Sequence, residues 1–115
     1  MTNYIHGPDI EEKWWKMTIA EQMGNIGSEV SRAGSAQGKN QKSFDNAVAR
    51  GLELIDLTLS DPRWFKMRGR LLEIARIREV FCDAIFDGKE FGSTFKGIQR
   101  YFDIFALQAM KHVGH

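Results

Sequence analysis

The sequence predicts an all-α protein, an up-and-down antiparallel four-helix bundle. Three observations point there: four stretches carry apolar residues at helical spacing, capping and Gly/Pro signals separate them, and no stretch alternates with a period of two. A chain of 115 residues has room for one domain and one core, and the reading takes 1–115 as that domain.

Residues 1–8 read as an irregular lead-in. Asp9 is placed to cap a first turn holding Glu11, Glu12 and Trp15. Thr18 and Glu21 have the spacing of a capping box, so the first helix is either one rod from Ile10 to about Ala33 or a short and a long helix joined near Met17. Ile19, Met23, Ile26, Val30 and Ala33 form its apolar stripe. Beside them run Ala20, Gly24, Gly27, Ser31 and Gly34, small residues that let another backbone approach closely. A glycine inside a helix costs about 1 kcal/mol against alanine, and close packing is the natural reason to keep them.

Residues 34–42 read as a polar, mobile loop. A second helix is expected from about Ser43 to Ser60, with Phe44, Val48, Leu52, Ile55 and Leu59 inward. Asp61 and Pro62 then cap and open a third helix that continues to about Phe86. Its stripe is Met67, Leu71, Ile74, Phe81 and Ile85. Residues 87–92 form a turn. Ser93 is expected to cap a fourth helix, Thr94 to His112, with Phe95, Ile98, Phe102, Phe105 and Ala109 inward.

Arg78 falls in the middle of the third stripe, where an unpaired cation is costly. Glu29 flanks the first stripe. The two are expected to form a largely buried pair that fixes helix register. Leu72, Ile77, Val80 and Ala84 lie outside the third stripe, and Leu57 and Ile104 sit off the inward faces of their helices. Such spare apolar positions point to oligomerisation.

Composition narrows function by exclusion. A net charge of +1 gives no whole-chain basic excess of the kind that marks nucleic-acid binders. One cysteine, Cys82, set among apolar neighbours, suits a buried thiol in a reducing cytoplasm. No apolar run reaches membrane-spanning length, and the N-terminal stretch lacks the pattern of a signal peptide, so a cytoplasmic protein is expected. The histidines, at 6, 112 and 115, do not follow a glutamate by three residues, so no di-iron pattern arises. No Walker-type loop or nucleophile–base pair is legible. The expectation is a non-enzyme without metal or cofactor.

The remaining hints concern partners. RWFKMRGR, residues 63–70, interleaves Arg63, Lys66, Arg68 and Arg70 with Trp64 and Phe65. Cations neutralise phosphates and rings stack on unpaired bases, so the segment could serve single-stranded RNA. The plainer reading has the rings closing the bundle end. Trp14 and Trp15 make a similar aromatic pair, and Trp and Arg are common anchors of protein–protein contacts. The first expectation is therefore an oligomeric protein-interaction module, a homo-oligomer with room for another protein partner. RNA binding through 63–70 is the alternative.

Asn25-Ile26 late in a helix, the polar loop Gly34–Lys42 and Phe44 in the next amphipathic helix resemble the middle of small four-helix-bundle proteins. These are the ribosomal intervening-sequence proteins and the accessory proteins of diversity-generating retroelements. The resemblance spans about a third of the chain. It implies a ring-like oligomer with a basic surface for RNA or a reverse transcriptase, whereas this chain is near neutral. No functional residue carries over.

Overall fold

The computed structural model describes residues 5–113, with side chains described except at 106 and 108–113. It is all-helical, with no strand among the described residues. The helices are α1 (Ile10–Trp14), α2 (Ile19–Ala36), α3 (Gln41–Leu59), α4 (Pro62–Phe65), α5 (Arg68–Ile85) and α6 (Phe95–Val113). Of the four long helices, α2 packs against α3 and α6, α3 against α5, and α5 against α6. The short α1 and α4 lie against α3, and α4 also meets α5.

The first helical region divides as the capping box requires. Thr18 Oγ1 accepts from Glu21 N at 3.1 Å and Glu21 Oε1 accepts from Thr18 N at 3.0 Å. The hydrogen bonds from Thr18 also hold the Glu21 carboxyl below its ordinary pKa. Asp9, expected as a cap, makes no capping hydrogen bond with its side chain. The stripe Ile19, Met23, Ile26, Val30 and Ala33 is buried as expected.

The expected loop at 34–42 shrinks to 37–40. Helix α2 runs on to Ala36, and Gly38 turns the chain at φ 74°. Asn40 then caps α3, its side-chain oxygen accepting from Ser43 N at 3.0 Å. Within α3 the buried residues are Ala47, Gly51, Leu54, Ile55, Leu57 and Thr58. The expected stripe of Phe44, Val48, Leu52 and Leu59 only flanks that centre, and Leu57, read as off-face, is buried. The physical reason is close approach. A Cβ at Gly51 would stand 3.0 Å from the Phe81 ring and 3.5 Å from Glu29 Cβ, so the small residues take the line of nearest contact.

The expected third helix is interrupted. Met67 adopts an extended conformation between α4 and α5 and is itself half-exposed, not inward. In α5 the buried apolar residues are Ile74, Ile77, Phe81 and Ala84. This face is turned towards Ile77 and Ala84, which displaces Arg78 and Ile85 to its edge. Thr94, not Ser93, caps α6, its Oγ1 accepting from Gly97 N at 3.0 Å, because the Ser93 amide is engaged by Asp83. Phe95, Ile98, Phe102 and Phe105 are buried, and the expected inward Ala109 lies outside the described side chains. Phe95 meets Phe44 and Phe81 edge-on at 5.8 and 6.1 Å, which ties α6 to α3 and α5.

Candidate interaction surfaces

Arg63, Trp64 and Arg70 of the basic-aromatic segment are built into the fold. Asp61 caps α4 by accepting from Arg63 N at 3.0 Å, with Pro62 at the first helical position. Its carboxylate is fully buried and also receives Arg63 Nε at 3.0 Å, Arg63 Nη2 at 2.7 Å and Gln22 Nε2 at 3.0 Å. Burial alone would raise the Asp61 pKa. The hydrogen bonds from Arg63 and Gln22 outweigh it and hold the carboxyl below the usual range.

Gln22, buried on α2, links three elements. Its Nε2 also donates to Trp14 O at 2.9 Å, and its Oε1 accepts from Trp64 Nε1 at 2.8 Å. Trp14 Nε1 donates to Thr58 Oγ1 at 2.9 Å, and Thr58 Oγ1 donates to Leu54 O at 2.7 Å. Trp15 Nε1 donates to Leu57 O at 2.9 Å, and Arg63 Nη2 reaches Met17 O at 2.7 Å. The result is a fully connected polar junction in which every indole N–H is satisfied.

This placement sorts the expected contact residues. Trp14 is buried in the core, which removes it from the surface, and Trp15 and Trp64 are half-buried. The Arg63 guanidinium lies 4.6 Å from the centre of the Trp64 ring. Arg70 is wedged between Trp64 and Phe105, 5.8 and 5.2 Å from their centres, and pairs with Glu73 at 3.2 Å. Phe65, Lys66 and Arg68 remain exposed and Arg63 keeps an exposed edge, with Phe65 the most exposed of the large apolar residues among the described side chains at 69%.

The expected Glu29–Arg78 pair does not form. Glu29 is buried and binds Arg32 one turn on, and its Oε2 has no hydrogen-bond partner among the described residues. Arg78 lies at the edge of α5 with its side chain 42% exposed, and its Nε donates to Asp56 Oδ1 at 2.8 Å. The rotation of the α5 face described above separates the two. Cys82, expected to be buried, is partly buried.

A second surface runs along the seam of α5 and α6. A groove of about 360 Å³ there is lined by Ile77, Val80, Ile98 and Tyr101, with Gly92 and Gly97 at its end. Leu72, Tyr101 and Ile104 are exposed at 59%, 42% and 52%. Tyr101 sits close to charges of both signs. Burial pushes its phenol up, the Glu73 carboxylate adds to that, and the Arg76 guanidinium opposes it. Sequence reasoning flagged Leu72 and Ile104 as off-face residues but missed Tyr101, which carries no pattern signal. It also missed Glu53, which clamps the lead-in through Ile5 N at 2.6 Å, His6 N at 3.1 Å and His6 Nδ1 at 2.6 Å.

Among the described residues no three His, Cys, Asp or Glu side chains are placed to hold a metal ion, and no helix is long and apolar enough to cross a membrane. No protein-family profile, curated protein or solved structure matches the chain.

Proposed function

We propose that this protein is a non-catalytic interaction module, an up-and-down four-helix bundle that assembles with further copies of itself through the α5/α6 seam. The observation that carries the reading is the exposed set Leu72, Tyr101 and Ile104: Tyr101 lines the apolar groove, Leu72 stands one turn from its Arg76 on α5, and Ile104 one turn from Tyr101 on α6. None of the three belongs to the buried core; Tyr101 leans on core Phe105 with its ring centre 6.4 Å away, and the exposed area of all three is left open to a partner. A second copy is the occupant that suits the charges. The seam carries Arg70 and Arg76 beside Glu73 and Glu79, in pairs at 3.2 and 3.8 Å. A surface with both signs can meet a two-fold copy of itself with opposite charges facing.

RNA is the less supported partner. Stacking needs rings free to receive bases, and of the aromatic residues of 63–70 only Phe65 is fully exposed.

Light scattering coupled to size-exclusion chromatography tests the proposal. The expected mass is a multiple of the 13.2 kDa chain. The double variant Leu72→Glu/Ile104→Glu should run as a monomer with unchanged helix content. A monomeric parent at the highest working concentration would overturn the reading. Retention on single-stranded RNA that weakens with salt and is lost in Lys66→Glu/Arg68→Glu would put nucleic acid in its place.

A further inference from the structure

A separate cleft of about 720 Å³ opens beside α5, between Leu59 of α3 and the turn after α5. Leu59, Ala75, Cys82, Phe86 and Phe91 supply its apolar lining, and Arg78 enters from the side. The wall formed by the turn is held in place by the buried Asp83. Its carboxylate accepts from Glu90 N at 2.8 Å, Phe91 N at 3.1 Å and Ser93 N at 2.9 Å, and its carbonyl accepts from Gly88 N at 2.8 Å. Asp87 is held at φ 62°, a left-handed conformation rare outside glycine. A Cβ at Gly88 would lie 2.7 Å from Ser93 O, so the turn admits no side chain there.

This firmly built turn presents Phe86 and Phe91 outward, 67% and 53% exposed. Neither belongs to the core. Arg78 also has binding capacity to spare. Its Nε is committed to Asp56, but its Nη1 reaches only Cys82 Sγ, at 3.9 Å, and no oxygen acceptor meets either Nη among the described residues. Of the nearby acids, Asp83 is spent on the turn and Glu79 pairs with Arg76 at 3.8 Å. Glu90 and Lys89 stand together on the exposed rim. The groups left open at the cleft are thus the two Nη nitrogens of Arg78, which meet no oxygen acceptor, and the Phe86 ring, while the Phe91 ring carries the Arg76 guanidinium 5.5 Å from its centre and offers its remaining surface.

We propose that this cleft binds a small monocarboxylate with an apolar or aromatic body. The carboxylate takes the Arg78 Nη groups in a forked pair. The body lies between Phe86 and Phe91 over Leu59, Ala75 and Cys82. The two open Nη groups of Arg78 select the carboxylate, and the rings select the apolar body.

Cys82 is the chain's one cysteine and lies in the cleft, so its alkylation by iodoacetamide reports occupancy. Phenylacetate and hexanoate should slow the alkylation saturably, while benzylamine should not. In Arg78→Met the apparent affinity should fall by about tenfold or more, with helix content unchanged and the protein still fully folded at the assay temperature. Phe86→Ser should weaken binding in the same way. Backbone amide shifts of Glu90, Phe91 and Ser93, followed by NMR in the same titrations, read binding independently of thiol reactivity. Absence of saturable amide shifts with either carboxylate would overturn the proposal. So would equal protection by benzylamine, or full affinity in Arg78→Met.

Discussion

Removing the Asp61 carboxylate would take an acceptor from three groups at once: Gln22 Nε2 and the Arg63 guanidinium, which keep only Trp14 O and Met17 O, and the first-turn amide of α4. Asp61→Ala should therefore cost about 3 kcal/mol or more in urea unfolding. The pH dependence has the same origin. The folded Asp61 pKa lies below the ordinary value, so its stabilisation is complete above about pH 4 and is lost as pH falls through the depressed folded value. Glu53 and Asp83 are displaced in the same direction, against burial, by hydrogen bonds from the lead-in and from the turn after α5. The urea midpoint should stay flat near neutrality and fall in acid, and Asp61→Asn should fall less steeply. Arg78→Met should behave differently. With both partners of the Asp56 pair substantially exposed, the loss should stay below about 1 kcal/mol in the same assay. The Thr18–Glu21 box was legible because its partners are three residues apart. The Arg78 partner was not, because a difference of one residue in helix phase decides whether position 77 or 78 faces the core, and only packing fixes that phase.

Glycines inside helices separate what an element prefers from what its neighbours demand. Gly24 is exposed on α2, and a Cβ there meets nothing within 4 Å. Gly24→Ala should raise stability by about 1 kcal/mol through helix propensity alone. Gly51 faces the Phe81 ring at 3.0 Å, and that ring is fully buried. Gly51→Ala should cost about 1–3 kcal/mol from overpacking, despite the same gain in propensity. Thermal melts of the two variants should shift in opposite directions. The small-residue row on α2 was read as a packing line, and it is one only in part: Gly27 faces Phe102 and Gly34 faces Phe95, while Gly24 faces solvent. The same error of phase appears in α3, where the largest apolar residues were taken as the centre. Helices in close contact put small residues on the line of approach and large ones to its sides, which an apolar count by size does not reveal. The break at Met67 also had no sequence signal. Hydrogen bonds from Arg63 to Met17, in the connection before α2, and from Trp64 to Gln22 on α2 fix α4, and an extended residue lets α5 leave in its own direction.

At the scale of the whole molecule, the helical class was legible because it rests on periodicity summed over many residues. The polar junction was not, because it joins residues 14, 22, 58, 63 and 64 from four helices with residue 61 between two of them, and nothing local marks them as neighbours. That junction has a spectroscopic consequence. All three tryptophans of the chain donate their indole N–H within it or beside it, and none lies on α6. Intrinsic fluorescence therefore watches one end of the protein, while far-ultraviolet ellipticity sums all the helices. Phe105 of α6 bears on Arg70, and Arg70 bears on Trp64, so the two signals are expected to change together during urea unfolding. If ellipticity falls first while the emission maximum holds, α6 melts as a separate unit and the junction persists without it.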